Sequence, residues 1–113
     1  MEIKEFLNLP IRLAGMVSNC QWVKFEGFNS LYVRHGKYLV YGEFEKTIQL
    51  ANITATNPGN GAFKNLVDYL QKNFDESIIV ESVLSEQFAT GLLRMGFTEF
   101  STSNFVLKHG SEK

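Results

Sequence analysis

Apolar residues recur along this chain with two different periods. In residues 62–74, Phe63, Leu66, Val67, Leu70 and Phe74 return at helical spacing, with Lys64, Asp68, Gln71 and Lys72 opposite them; this predicts a helix with one face on a core. Residues 47–56, Thr-Ile-Gln-Leu-Ala-Asn-Ile-Thr-Ala-Thr, carry apolar or small side chains on both alternating faces, as expected of a central strand covered on both sides. Residues 77–84 form a second apolar strand, interrupted by one acid, Glu81. Ser85 is placed to cap a helix whose first turn holds Glu86 and which runs through Phe88, Ala89, Leu92 and Leu93 to Met95. Gly96 is placed to end that helix in a left-handed cap, and residues 104–108 read as a last short strand.

The first forty residues are patterned less strongly. Ile3, Phe6 and Leu7 share one face of a short helix, and Pro10 is placed to open a second one carrying Ile11, Leu13, Met16 and Val17, with Gly15 against it. Residues 30–35 and 37–41 read as two strands joined by a tight turn at His35-Gly36. The expected order is therefore helix, helix, strand, strand, strand, helix, strand, helix, strand. A hairpin that feeds a strand-helix-strand unit predicts an α+β fold with a mixed sheet and helices against its faces.

Length and composition narrow the class. The chain has 113 residues, 44% of them hydrophobic, enough for one domain with one core spanning 1–113 and too few for two. Ten phenylalanines exceed what a surface this small needs, so the core is expected to be rich in them. A net charge of −1 and a pI near 6.1 give no general drive toward nucleic acid, which needs a basic face. One cysteine, Cys20, cannot close an internal disulfide; it reads as a small buried apolar group rather than a nucleophile. No apolar run has the length of a signal or a membrane span, so a cytoplasmic protein with no membrane partner is expected. His109 falls in a polar tail and is expected to be solvated, and no metal-ligand spacing is present.

The segment Asn57-Pro58-Gly59-Asn60-Gly61-Ala62-Phe63 lies between the central strand and the helix that follows. Where a strand turns through glycines into a helix, several backbone N–H groups point one way at the positive end of the macrodipole, which suits a phosphate. Gly59 and Gly61 keep no Cβ between an anion and the main chain. The same residues also make an ordinary turn, since short glycine pairs punctuate loops generally.

In this element order the corner resembles the GNAT-fold N-acyltransferases, especially the small versions found in bacteria and phages. The stretch Leu50-Ala51-Asn52-Ile53-Thr54-Ala55-Thr56-Asn57-Pro58-Gly59-Asn60-Gly61 is similar to that family's fourth strand running into its pyrophosphate loop, usually written Gln/Arg-x-x-Gly-x-Gly/Ala. Residues 78–84 resemble the fifth strand, and Leu92-Leu93-Arg94-Met95-Gly96-Phe97 the helix that ends in Gly-Phe. The likeness covers roughly residues 30–108. It implies that the strands 47–56 and 77–84 splay apart and that acetyl-CoA enters between them. Backbone of Ile53, Thr54 and Ala55 would then hold pantetheine, and backbone of Asn57, Gly59, Asn60, Gly61 and Ala62 the pyrophosphate, with Lys64 adding charge and Ser85 contacting the cofactor.

The departures from the family pattern are specific. Thr56 stands where glutamine or arginine is usual, Ser85 where asparagine often stands, and Leu92 where active members often carry a tyrosine acting as general acid. Acyl transfer to an amine needs a route for the amine's proton. Glu81, inside an apolar strand, is the first candidate base, because burial makes a carboxylate a stronger base; Glu45, just before the central strand, is the second. Either acid also suits a solvated or hydrogen-bonded surface position. The resemblance thus implies an acetyl-CoA-dependent N-acyltransferase acting on an amine acceptor. The missing tyrosine equally suits a degenerate binding module that keeps the fold and acts through a protein partner.

Overall fold

A long hairpin organises the sheet. In the computed structural model, which describes residues 1–10, 19–57 and 59–108, the described elements are α1 (Ile3–Leu7), β1 (Asn19–Trp22), β2 (Phe28–Val40), β3 (Glu43–Ala55), α2 (Ala62–Asn73), β4 (Ser77–Val80), α3 (Glu86–Arg94), β5 (Thr98–Ser101) and β6 (Asn104–Leu107). Together they form a mixed α+β fold whose six-stranded sheet has the order β1-β2-β3-β4-β6-β5. β3 and β4 are parallel, and the other neighbours are antiparallel.

The hairpin turn lies at Tyr41-Gly42, where two consecutive residues have positive φ (50° and 83°), the conformation that matches the twist of two-residue hairpins. It does not lie at His35-Gly36. The two strands expected over residues 30–41 are one continuous strand, because His35 points inward, 2% exposed, and bonds Glu76 through Nε2 at 2.9 Å. Gly36 pairs with Thr47 and accepts a hydrogen bond from the Thr47 hydroxyl at 3.0 Å. Burial of the histidine keeps the strand running past the expected turn to the Tyr41-Gly42 pair.

Further differences follow from tertiary pairing. β1 and β5 carry no strong alternation and exist as edge strands because β2 and β6 offer them partners. β4 ends at Val80 rather than at residue 84: Ser82 has φ 56°, and its N–H bonds the Asn104 side chain at 2.9 Å, which turns the chain out of the sheet. Cys20 is exposed, not buried. The helix expected from Pro10 to Val17 and the tail residue His109 lie outside the described residues.

One face of the sheet carries the main core. Leu31, Val33, Ile48, Leu50, Ile78, Val80, Phe105 and Leu107 pack there with Ile3, Phe6 and Leu7 of α1, Leu66, Val67 and Leu70 of α2, and Leu92 of α3. The opposite face has a smaller cluster of Val40, Ile79 and Val106, with Tyr38 and Phe100 against it. Every phenylalanine except Phe44 joins one of these clusters, as the composition suggested. Phe63, in the first turn of α2, meets Phe88 of α3 edge-on at 5.1 Å, so the two helices lock together beside the glycine corner. No helix among the described residues is long and apolar enough to cross a membrane.

Gly27 holds the corner from the other side. Its φ is +99°, a Cβ there would stand 2.8 Å from the Cβ of Ala62, and its carbonyl accepts the Thr56 N–H at 2.9 Å. Gly27→Ala combines left-handed strain with a clash and is expected to lower stability by about 2 kcal/mol. Gly42→Asn, at a turn position that tolerates positive φ and meets nothing within 4 Å, is expected to change it by less than about 0.5 kcal/mol. Urea denaturation of both variants checks the contrast.

Candidate functional site

The ladder between β3 and β4 is short. Thr47, Ile48, Gln49 and Leu50 pair with Ser77, Ile78, Ile79 and Val80, and a further hydrogen bond runs from Glu81 N–H to the Leu50 carbonyl at 3.2 Å. β3 then continues to Ala55, paired with β2 alone among the described residues. At the point of departure Val33 pairs with Leu50 and Tyr32 with Asn52, so Ala51 is a bulge; bulges bend a strand and increase its twist. Ile53, Thr54 and Ala55 therefore have one edge bonded to β2 and the other edge facing away from it without a strand.

β3 leads directly into the glycine corner. Gly59 and Gly61 have φ +85° and +82°, and a Cβ built on either would meet nothing within 4 Å. Gly61 is the N-cap of α2; no side chain caps that end and no acid occupies the first turn, so the N–H groups at the start of the helix keep their anion-binding character. Asn57 and Asn60 are joined by a turn bond, Asn60 N–H to the Asn57 carbonyl at 3.2 Å. Lys64 pairs with Asp68 at 2.9 Å, both largely exposed, an i,i+4 pair weak enough for the ammonium to exchange partners. Thr56 turns away from the corner and donates to the Asn29 side chain at 3.0 Å. Ser85 caps α3, its hydroxyl accepting the Phe88 N–H at 3.2 Å.

The two acids proposed as bases lie at opposite ends of the central strands. Glu81, at the carboxyl end of β4, sits 2.7 and 2.8 Å from Nη1 of Arg34, which reaches across β3 from β2. Its hydrogen bond raises the Arg34 guanidinium above the ordinary value. Arg34 lies in a polar and aromatic strip on the sheet face away from α2: Tyr32 is two residues before it, Trp22 packs on Tyr32 at 4.9 Å, and Cys20 pairs with Arg34 across β1 and β2. The thiol of Cys20 hydrogen-bonds Tyr32 and raises its phenol. Neither Arg34 nor Trp22 was singled out from the sequence; the alternation of Tyr32 and Arg34 with buried Leu31 and Val33 was the available signal.

Glu45 lies at the amino end of the central strands, beside an open pocket of about 560 Å3 that Glu76, Ser77 and Lys108 also line. The pocket is at the far end of β3 from the glycine corner, and Glu45, Lys46, Glu76 and Lys108 on its wall are already paired. Glu45 accepts from Ser77 Oγ and Lys108 Nζ, both at 2.7 Å. Burial pushes its carboxyl up, but these two bonds outweigh burial and hold it below the ordinary value. Glu76 shows the same balance: burial raises it, and the bond from His35, helped by Lys46, lowers it overall. His35 Nδ1 has no hydrogen-bond partner among the described residues.

Leu92, which the resemblance sets at a tyrosine position, is fully buried in the main core. Among the described residues no cluster of three or more His, Cys, Asp or Glu is placed to hold a metal ion. Comparison with known protein families, with characterised proteins and with solved structures finds no match for this chain.

The lowered glutamates set the acid limb of stability. A carboxyl lowered in the folded state binds protons more weakly than in the unfolded chain, so its contribution is complete above the ordinary value near 4.5 and is lost as pH falls through the depressed folded value. Stability is expected to fall with pH below about 4.5, and Lys108→Met is expected to flatten that limb by restoring Glu45 toward its ordinary value. Denaturation midpoints measured from pH 7 to pH 3 in both proteins check the slope.

Proposed function

We propose that this protein binds the thioester of an acyl-CoA in the manner of the GNAT-fold N-acyltransferases and passes the acyl group to an amine. The observation that carries the reading is the course of β3: it leaves β4 after Leu50, keeps a strandless edge over Ile53, Thr54 and Ala55, and ends in an uncapped helix start flanked by two open glycines. In this reading β3 and β4 splay beyond Leu50, helped by the Ala51 bulge. The pantetheine amides pair with the bare edge as an added strand does, and the pyrophosphate lies on the N–H groups of residues 59–62, with Lys64 as a mobile countercharge. Glu81, at the same end of the sheet, is the better-placed base; Glu45 lies at the other end and already holds two donors.

One observation favours a second reading. Leu92 leaves the family's proton-donor position apolar and sealed, and Ser85 is committed to its helix cap. A degenerate module that binds a thioester or a protein partner without turnover fits these two residues.

Calorimetric titration with acetyl-CoA tests the main reading. Saturable binding is expected in the parent chain. Gly61→Asp, which places a carboxylate where the phosphates lie, is expected to weaken it at least about tenfold, and Gly61→Asn, equally tolerant of the left-handed conformation but uncharged, only a few-fold. No binding at millimolar cofactor would remove the proposal. Binding without release of free CoA in the presence of amines would select the second reading.

A further inference from the structure

The Arg34–Glu81 pair is built in an uneven way. Both carboxylate oxygens of Glu81 contact the same nitrogen, Nη1. A guanidinium offers five N–H donors in a planar fork, so Nη2 and Nε of Arg34 have no bonded partner among the described residues. The Arg34 side chain is 37% exposed and that of Glu81 15%. A half-open guanidinium edge therefore stands beside a mostly enclosed carboxylate. The wall next to them is aromatic: Trp22, 54% exposed, packs at a tilt of 54° against Tyr32, whose ring lies 6.0 Å from the Arg34 guanidinium carbon.

From this geometry we infer that the acceptor is a free amino acid with an apolar or aromatic side chain. Its carboxylate docks on the unused Nη2 and Nε edge of Arg34, its ammonium lies against Glu81, and its side chain rests on Trp22 and Tyr32. An adjacent cation and anion match the adjacent charges of a zwitterion in one orientation, which a simple amine lacking a carboxylate cannot satisfy. The inference rests on the acyl-transfer reading for its chemistry, and on the Arg34 edge alone for binding.

The step balances with the groups named. The acceptor ammonium gives one proton to Glu81, and the freed nitrogen lone pair forms the C–N bond at the thioester carbonyl. The C–S bond breaks, the departing CoA sulfur takes a second proton from the nitrogen, and Glu81 releases its proton to water. The products are the N-acyl amino acid and the CoA thiol. This route assigns the thiolate itself the proton that a tyrosine would otherwise supply, which accommodates Leu92.

L-phenylalanine and its carboxamide are the probes. Each is titrated into the protein by NMR without cofactor, and each is then incubated with acetyl-CoA while the N-acetyl product is measured by chromatography. The acid is expected to bind and to be acetylated with at least about tenfold higher kcat/KM than the amide, the size of effect of one charged bidentate contact. Arg34→Lys, which keeps the charge and loses the fork, is expected to erase that preference. Glu81→Gln is expected to retain binding of the acid and lose turnover. Equal acetylation of acid and amide overturns the inference while leaving acyl transfer intact. If acetyl-CoA does not bind, the acyl-transfer reading fails and the NMR titration decides alone: saturable binding of phenylalanine that is lost in Arg34→Lys upholds the zwitterion site, and its absence at millimolar ligand overturns it.

Discussion

Four residues of parallel pairing hold the two halves of this sheet together. β1, β2 and β3 form one antiparallel unit and β4, β6 and β5 the other, and the join is Thr47–Leu50 against Ser77–Val80. All eight side chains are buried, as a parallel ladder requires on both faces. Its polar members are satisfied internally: Thr47 donates to the Gly36 carbonyl, Gln49 donates to Thr47, and Ser77 donates to Glu45. The ladder is thus dry and bonded, and it is short because Ala51 bulges on one strand and Ser82 turns the other away.

Where the ladder stops, Arg34 spans the gap. It reaches from β2 over β3 to Glu81, just past the last residue of β4, so this pair ties β2 to the end of β4 and places charge beyond the last ladder pair. A pair with a guanidinium more than a third exposed contributes little net stability, so a ligand that shares the guanidinium costs the fold little. The pair lies across the end of the ladder, and the bulge and residues 53–55 follow it along β3, an order set by the register of β2 on β3.

The sequence made the middle and the carboxyl half of the fold legible, because those elements combine a clear period with local stop signals. α2 and α3 follow the spacing of Leu66, Val67, Leu70 and Leu92, and α3 begins at the Ser85 cap and ends before Gly96, which has φ +100°. What failed depends on partners far away in sequence. His35 reads as a turn residue until Glu76 is brought beside it, forty-one positions later; β1 and β5 exist only through their neighbours. Of the candidate site, the glycine corner was visible because its residues are contiguous. Arg34 was not, since its meaning comes from Glu81, forty-seven positions away, and no local pattern records that separation.

The two ends of the central strands differ in how completely their polar groups are engaged. At the amino end Glu45 bonds Ser77 and Lys108, and Glu76 bonds His35 with Lys46 alongside; a ligand that displaces one of these partners leaves a buried group stranded, which costs more than a new bond returns. At the carboxyl end, among the described residues, no side chain caps the helix start, no strand pairs the outer edge of β3, and Nη2 and Nε of Arg34 have no acceptor. Groups left unpaired there repay a ligand's desolvation instead of adding to it. The pocket beside Glu45 is at the first end and the unmet hydrogen-bonding capacity at the second. Ligands of parallel strands settle at the carboxyl ends for this reason, so the volume of the pocket beside Glu45 is a poorer guide to function than the backbone left bare beyond Leu50.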